Sequence, residues 1–327
     1  MFVWETPRAC YDPSVRLNRG VAACAFLAGC GAHGAGTASS LTVGFSQIGA
    51  ESAWRVAETE SVRSEAEKRG VAFKLADAQA KLESQIAALH SFRAQGVDAV
   101  ILAPQKKDGF EPALRELASA GIPVVLVDRG LDCDPSLYAT LIASDFTAEG
   151  RMAAEWLVAH TQGEVRIAEL EGTAGSDPAI ERKRGFEERI AKESRMRIVK
   201  SVSAEFQLPK GKEAMEAILK SEAGGIDAVY AHNDDMALGA IQALEAAGRQ
   251  PGKDVLVLSI DATKAAFAAI VAGRLSCAVE CSPLLGPMAF DAIEKIRRGE
   301  KVEKRTVVPD RVFDATNAAA ALASRKY

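Results

Sequence analysis

The sequence lacks an excess of basic residues and has few aromatic side chains. Its 327 residues include 40 lysines and arginines and 44 aspartates and glutamates, which gives a formal net charge of −4. Proteins that bind nucleic acid usually carry a basic surface, so this balance argues against a nucleic-acid partner. Aromatic residues make up only 6% of the chain, so an aromatic side chain near a strand end is informative. The length is sufficient for two domains of ordinary size.

The N-terminus has the pattern of an export signal, because two arginines precede an apolar run that is too short to span a bilayer. The arginines lie in Arg16–Arg19, the run is Val21–Gly29, and an uncharged linker follows. A basic region, an apolar region and small residues at the cleavage point are typical of export signals. A membrane-spanning helix needs about 20 apolar residues. We therefore predict that residues 1–40 are an export segment and linker, which implies a location in the periplasm or cell envelope.

The residues around Cys30 indicate that the exported chain is anchored to a membrane by a lipid. The four residues that end at Cys30 resemble the lipobox of bacterial lipoproteins, in which the cysteine is lipidated and becomes the new N-terminus. This resemblance predicts lipidation at Cys30 and membrane contact only through that anchor. An ordinary cleaved signal and a cytoplasmic tail are the alternatives. Acidic residues ahead of the two arginines further suggest that translation starts near Val15.

The spacing of the other cysteines and of the histidines does not predict a disulfide framework or a metal site. Cys277 and Cys281 are four residues apart in a predicted strand, which separates them by about 13 Å, too far for a mutual disulfide. Together with Cys133 they leave an odd number beyond the export segment. The histidines have no partners at metal-ligand spacing. The glycine pattern at Gly29–Gly34 has no strand before it, so it does not predict a nucleotide site. We therefore expect neither a metal nor a nucleotide cofactor.

From Leu41 onward the chain alternates strand and helix, which predicts an α/β fold of doubly wound parallel sheets. Short apolar runs rich in β-branched residues indicate strands buried on both faces. The pattern restarts after about residue 145, so we expect two similar lobes. The predicted strands are 41–46, 71–76, 98–103, 122–127, 138–143, 165–170, 197–202, 228–231, 255–260, 275–280 and 305–312. The predicted helices are 52–69, 81–95, 109–120, 148–160, 179–192, 211–221, 235–247, 264–272, 285–298 and 316–324.

Several of the predicted strands end abruptly in polar residues. Asp128 and Arg129 follow the apolar run Ile122–Val127, and Asp261 follows Val255–Ile260. Ligands of parallel sheets bind beyond the carboxyl ends of the strands, where these side chains would lie. A carboxylate accepts hydrogen bonds from sugar hydroxyls and a guanidinium donates them. A turn that directs Asp128 and Arg129 into a cleft is therefore favoured over a surface ion pair.

Two further positions allow more than one interpretation. The segment His232–Asp235 follows a strand, and it could hold a metal, begin a helix, or present Asn233 to a ligand while the acids cap the helix. The last interpretation is favoured. Trp54 is either part of the core or an aromatic that stacks on the apolar face of a sugar ring. The sequence has no nucleophile–base set and no G-x-S-x-G elbow, which indicates a binding protein and not an enzyme.

The chain from Leu41 to about Asp310 resembles the periplasmic sugar-binding proteins of bacterial ABC importers, in the ribose/galactose group. The segments that carry this resemblance are Leu41–Arg55, Ile122–Arg129, Tyr230–Gln242, Pro251–Asp254 with Ser259–Asp261, and Ala278–Pro283. The stretch Glu51–Arg55 is most similar to the galactofuranose-binding branch. Ribose binders tend to have Asn where this chain has Ala103, and Gln where it has Cys281.

The resemblance implies two α/β lobes that are joined by three crossovers and close on a sugar. It implies a first lobe of residues 41–145 plus 282–305 and a second lobe of residues 146–281 plus 306–327. The ligand-binding residues that it implies are Glu51, Trp54, Arg55, Asp128 and Arg129 from the first lobe, Arg182, Phe206, Asn233 and Asp261 from the second, and Asp145 and Glu280 near the crossovers.

The function that the resemblance implies is reversible capture of a monosaccharide, galactofuranose-like, by a monomer that delivers it to an ABC permease with its ATPase. A sugar-sensing lipoprotein that serves a chemoreceptor or sensor kinase is an alternative, as is binding of a non-sugar ligand such as a signalling molecule. The effector domain of a lactose-repressor-type transcription factor shares the implied fold. However, residues 1–40 are too few for the basic helix-turn-helix that such a repressor needs.

Overall fold

The structure, a computed structural model, describes residues 41–222 and 224–327. The predicted export segment, its linker and the predicted lipidation site at Cys30 lie outside these residues. Within the described ranges the chain forms twelve strands and ten α-helices. Of the helices in this part of the chain, none combines the length and the apolar character needed to cross a membrane.

The strands and helices alternate along the chain. The strands are β1 (Thr42–Gln47), β2 (Ala72–Asp77), β3 (Ala99–Leu102), β4 (Val124–Val127), β5 (Thr140–Ser144), β6 (Val165–Glu171), β7 (Met196–Ser203), β8 (Ala228–Ala231), β9 (Leu256–Asp261), β10 (Cys277–Glu280), β11 (Arg305–Val308) and β12 (Val312–Asp314). The helices are α1 (Ala53–Arg69), α2 (Leu82–Ala94), α3 (Glu111–Ser119), α4 (Phe146–His160), α5 (Asp177–Ile190), α6 (Leu208–Ser221), α7 (Asp234–Ala246), α8 (Lys264–Val271), α9 (Gly286–Arg297) and α10 (Ala318–Leu322).

The strands form two six-stranded sheets, in the orders β11-β5-β4-β3-β1-β2 and β12-β10-β9-β8-β6-β7. All neighbouring strands are parallel except β10 and β12, which run antiparallel. In each sheet the chain direction across the sheet reverses beside the first strand, at β1/β3 and at β6/β8. Ligands of doubly wound sheets bind at such switch points, beyond the carboxyl ends of the strands. The predicted two-lobed α/β architecture is confirmed.

Helices cover both faces of each sheet, which explains why the central strands are apolar throughout. Strands β3 and β4 are buried at every position. One face of the first sheet packs against α1 and α9, and the other packs against α2 and α3. In the second sheet, α4 and α5 cover one face, while α6, α7, α8 and α10 cover the other. Strands that are buried on both faces cannot alternate polar and apolar residues, because either face meets a core.

The chain passes between the two sheets three times. It crosses after β5, after β10 and between β11 and β12. The sequence pattern predicted one strand over residues 305–312, but the structure has two short strands in different sheets. Strand β11 pairs with β5 of the first sheet, so the predicted lobe boundary at 305/306 falls inside a first-lobe strand. The third crossover therefore lies after Val308.

Candidate functional site

A pocket lies between the two lobes, at the carboxyl ends of both sheets. Its lining consists of Glu51, Ser52, Trp54, Arg55, Asp128, Arg129, Pro178, Arg182, Phe206, Asn233, Asp261 and Cys281. The first six belong to the first lobe, the next five belong to the second, and Cys281 lies at a crossover. Every ligand-binding residue predicted from the sequence lines this pocket, except Asp145 and Glu280.

Asp145 and Glu280 lie outside the pocket because their side chains have other partners. The Asp145 side chain is exposed and caps α4 by accepting a hydrogen bond from the backbone N–H of Ala148, at 2.9 Å. Glu280 pairs with Arg311 at 3.0 Å and with Arg325 at 2.5 Å. Both acids lie beside crossovers, as expected, but the structure does not bring them into the pocket.

The first lobe contributes a buried ionic cluster centred on Arg55. Its guanidinium Nη2 lies 2.8 Å from Asp128 Oδ2, and Nη1 lies 2.6 Å from Glu58 Oε2. Glu51 is the third acid, with Oε1 3.4 Å from Arg55 Nε. Arg55 and Asp128 are 3% and 5% exposed. Charges this deeply buried keep their orientation only when each has partners, so the cluster fixes the Asp128 carboxylate at the pocket wall.

The pKa values of this cluster reflect a balance between burial and neighbouring charge. Burial alone would lower the pKa of Arg55, but the carboxylates of Asp128, Glu58 and Glu51 outweigh it and raise the pKa above its usual value. Burial and the adjacent Arg55 charge lower the pKa of Arg129 to about 10. Arg129 therefore remains a cation at neutral pH. Its Nη1 donates a hydrogen bond to the carbonyl of Gln105 at 3.1 Å.

In the second lobe, Arg182 of α5 is likewise held by a buried carboxylate and by a backbone carbonyl. Its Nε lies 2.7 Å from Glu149 Oε2, and Nη1 donates to the carbonyl of His232 at 2.6 Å. Its Nη2 lies 3.8 Å from Asp261 Oδ1. Burial raises the pKa of Asp261 well above its usual range, although Arg182 acts against this shift. A Cβ at Gly150 of α4 would lie 2.0 Å from the Arg182 carbonyl oxygen, so α4 and α5 can approach this closely because residue 150 has no side chain.

The segment His232–Asp235 was expected to present Asn233 to a ligand while the two acids cap α7. The structure places Asn233 at the pocket, but Asn233 is also the helix cap, because its Oδ1 accepts from the N–H of Met236 at 3.0 Å. The acids contact other elements. Asp234 accepts hydrogen bonds from Ser259 and from the N–H of Thr263, and Asp235 reaches into the first lobe.

Three pocket residues have a left-handed backbone conformation that side-chain-bearing residues rarely adopt. The φ angles of Asp128, Phe206 and Asp261 are 64°, 62° and 117°. Each such residue costs about 1–3 kcal/mol and persists only where the surrounding structure imposes it. All three follow or end strands, so the strained turns direct their side chains out of the sheet and into the pocket. The predicted turn at Asp128 is therefore present.

The two aromatic residues of the pocket, Phe206 and Trp54, each pack against a neighbouring element of the structure. A Cβ at Gly172 would lie 1.9 Å from Phe206 Cζ, so the Phe206 ring packs directly on the backbone that follows β6. Trp54 is 5% exposed, packs with the α4 and α5 side of the second lobe, and donates from Nε1 to the carbonyl of Cys281 at 2.6 Å. It therefore belongs to a core cluster and also lines the pocket, and its stacking on a sugar ring stays a prediction.

Several residues that line or support the pocket were missed from the sequence. Ser52, Pro178 and Cys281 line the pocket. The buried acids Glu58 and Glu149 form ion pairs with Arg55 and Arg182, respectively. Glu58 could have been found, because it lies three residues after Arg55 on the same helix. Glu149 gave no such signal, since its partner lies on the next helix along the chain.

The pocket offers hydrogen-bond donors and acceptors of both charges beside two aromatic rings. Glu51 Oε2 and Arg129 Nε are buried atoms with no hydrogen-bond partner in residues 41–222 and 224–327. Such groups suit a small ligand with several hydroxyls, each of which donates and accepts. No set of three or more His, Cys, Asp or Glu residues in the described part of the chain is placed to hold a metal ion. Cys133, Cys277 and Cys281 are free thiols.

Comparisons with known proteins agree with the two-lobed fold. A family model described as a periplasmic binding protein domain matches residues 43–301. The galactofuranose-binding protein YtfQ of Escherichia coli (strain K12) is 47% identical over 281 residues, which cover 84% of this chain and 88% of that protein.

Two solved structures are similar over nearly their whole length. The first is the periplasmic binding protein component of the arabinose ABC transporter from Shewanella sp. ANA-3, bound to α- and β-L-arabinofuranose. It is 48% identical, with a TM-score of 0.85, and the match covers 87% of this chain and 95% of that one. The second is a Mycobacterium smegmatis protein in complex with β-D-fucofuranose. It is also 48% identical with a TM-score of 0.85, and covers 88% and 96% of the two chains.

Proposed function

The chain belongs to the periplasmic binding protein family, and from this membership we propose that it captures a monosaccharide in the five-membered furanose ring form and delivers it to an ABC permease. The pocket between the lobes carries the proposal. It is lined from both sides by groups that can hydrogen-bond hydroxyls, so ligand contacts from each lobe would favour the closed arrangement. A galactofuranose-like sugar is the preferred ligand.

Support for the ring form comes from the relatives. One is named for galactofuranose, and two structures are described with arabinofuranose and fucofuranose. These sugars differ in the groups outside the ring and share a furanose ring. The pocket residues are proposed to recognise that ring, with Asp128 and Arg129 on one side and Arg182, Asn233 and Asp261 on the other.

Isothermal titration of the protein with galactose, arabinose, fucose and ribose tests the proposed ligand class. We expect binding of the first three and weak or absent binding of ribose. A sugar labelled with ¹³C at its anomeric carbon tests the ring form, because the NMR shift of that carbon in the complex distinguishes furanose from pyranose. A bound pyranose spectrum would contradict the furanose proposal while leaving sugar capture intact. Absence of binding by every sugar would contradict both.

We further propose that the protein acts in the periplasm, exported by residues 1–40 and anchored through lipidated Cys30. Family membership supports the periplasmic location, and the lipobox-like sequence supports the anchor. Cells grown with an alkyne-tagged fatty acid should label the protein, and Cys30→Ala should remove the label. Persistent labelling of Cys30→Ala would contradict the anchor but not the sugar-binding role.

A further inference from the structure

Two carboxylates of the second lobe accept hydrogen bonds from the first lobe beside the pocket. Asp177, the first residue of α5, accepts a hydrogen bond from the backbone N–H of Gly130 at 3.0 Å. Its other oxygen lies 2.8 Å from Lys107 Nζ. In the second contact, Asp235 of α7 accepts a hydrogen bond from the backbone N–H of Ala53 at 3.3 Å. Each contact pairs a second-lobe acid with a backbone donor of the first lobe.

These contacts lie beside the pocket and outside its lining. Asp177 precedes the lining residue Pro178, and Asp235 lies two residues beyond the lining residue Asn233. The Asp177 contact is the more protected of the two, since Asp177 is 8% exposed and Gly130 is buried. The Asp235 contact is more open, because Ala53 is exposed and Asp235 is half-buried.

The backbone N–H of Ala53 has no hydrogen-bond partner within its own helix. Ala53 is the first residue of α1, and the first four N–H groups of a helix have no partner within the helix. The cap residue Ser52 accepts from the N–H of Arg55, so Asp235 satisfies a second donor of the same turn from the other lobe. A negative charge at this position also interacts favourably with the helix dipole.

We propose that Asp177 and Asp235 form an interlobe latch, which sets the free energy of lobe closure and so the affinity and release rate of the ligand without touching it. The proposal rests on the proposed function, in which ligand is held between closed lobes. Because each contact joins different lobes, it must break when the lobes separate. Anything that stabilises only the closed state slows ligand release and strengthens binding of every ligand equally.

The test compares Asp177→Ala, Asp235→Ala and Lys107→Met with the wild-type protein at pH 7.5, with galactose and arabinose as ligands. Loss of Asp177 should weaken binding about ten-fold, because it removes a buried hydrogen bond to a charged group. Loss of Asp235 or of the Lys107 charge should weaken binding about three-fold, as for exposed pairs. Stopped-flow measurements should show most of each change in the release rate.

Two readouts separate a latch from a structural or direct ligand role. A latch residue should weaken both sugars by the same factor, whereas a residue that contacts the sugar should change their ratio. It should also leave the far-ultraviolet circular dichroism of the sugar-free protein unchanged, because each lobe keeps its own hydrogen bonds when the contact between lobes is lost. Asp227→Ala is the matched control, since this second-lobe acid accepts a backbone N–H from Arg166 of its own lobe at 2.7 Å. We expect the control to bind both sugars normally.

The proposal is overturned if Asp177→Ala binds both sugars as tightly as wild type, or if the two sugars weaken by different factors. Small-angle scattering of the sugar-free protein provides an arm that needs no ligand. If no sugar binds the wild type, the proposed function fails, and the scattering measurement alone tests the latch. The double variant Asp177→Ala/Asp235→Ala should then have a larger radius of gyration than wild type, and equal radii would reject the latch.

Discussion

The guanidinium carbon of Arg129 lies 5.6 Å from the centre of the Phe206 ring, and the two residues belong to different lobes. Arg129 is part of the ionic cluster of the first lobe, where its Nε lies 3.4 Å from Asp128 Oδ2. A cation over an aromatic face is stabilised by about 0.5–2 kcal/mol, with more when both groups are desolvated. The contact therefore joins the charged wall of the pocket to its aromatic wall.

Gly172→Ala should weaken sugar binding by displacing the Phe206 ring. A Cβ at position 172 would lie 1.9 Å from Phe206 Cζ, so the ring must move away from the backbone that it packs on. The displaced ring would lose its contact with Arg129 and change the shape of the pocket wall. We expect roughly ten-fold weaker binding, to be measured by isothermal titration.

A double-variant cycle isolates the role of the ring. Phe206→Ala alone should also weaken binding, and Gly172→Ala should add little to it once the ring is absent. Fully additive losses would show that Gly172 acts on the site by a different route.

Asp128→Asn should weaken sugar binding by about ten- to a hundred-fold while the protein stays folded. Asparagine tolerates the left-handed backbone at this position, so the turn is retained and only the negative charge is removed. Loss of a charged hydrogen-bond acceptor costs about 1.5–3 kcal/mol. Titration calorimetry measures the loss, and Asp98→Asn is a control because Asp98 is an exposed acid of the same lobe. Unchanged affinity in Asp128→Asn would remove this residue from the proposed site.

The stability of the fold should increase as the pH falls from 8 to about 5, in part through Asp234. Burial raises the pKa of this carboxyl to about 7, despite its hydrogen bonds from Ser259 and Thr263. In the unfolded chain the group titrates near pH 3.9, so between about pH 4 and 7 the folded protein binds more protons than the unfolded chain. Proton uptake on folding means that acidification stabilises the fold, by up to about 1.4 kcal/mol per pH unit for one group.

Urea unfolding at several pH values checks this dependence, with Asp234→Asn as the matched variant. Asparagine keeps an oxygen acceptor for Thr263 and does not ionise in this range. Its free energy of unfolding should therefore depend less steeply on pH than that of the wild type. Burial also raises the pKa of Asp310, to about 8, so the wild type and the variant should both retain some dependence in the same direction. Identical slopes would show that Asp234 does not titrate in this window.

Trp54 should report ligand binding by its fluorescence. The indole lines the pocket, donates a hydrogen bond to the crossover residue Cys281 and lies 4.8 Å from the Arg55 guanidinium. Sugar binding should alter these surroundings and shift the emission, whereas Trp156 lies on α4 and contacts His160. Trp54→Phe should abolish the change on sugar addition. If the signal persists in that variant, another tryptophan reports the binding.

The positions of Asp128, Arg129, Asn233 and Asp261 could be predicted because they depend on one rule. Residues that follow neighbouring parallel strands meet at the same edge of a sheet. The roles of these residues in binding sugar remain predictions. What the rule could not supply is the conformation of the turns, because contacts around them, such as that of the Phe206 ring with Gly172, join residues far apart in sequence.

The crossovers were harder to predict for a physical reason. Glu280 lies at the end of a strand like the pocket residues, but Arg311 and Arg325 hold it away from the pocket, and neither is near it in sequence. Strands β11 and β12 were predicted as one because only a few residues separate them. The change of sheet between them depends on which edge strand has free backbone groups, which is a property of the assembled lobes.

The late position of β11 in the chain also has a consequence for biosynthesis. Strand β5 pairs with Arg305–Val308, which the ribosome makes about 160 residues later. Until then the outer edge of β5 presents unpaired backbone groups, and such edges are templates for association with other chains. No contiguous N-terminal fragment that ends before Arg305 contains a complete first sheet. A nascent chain thus depends on its final segment, or on chaperones, to keep this edge from intermolecular pairing.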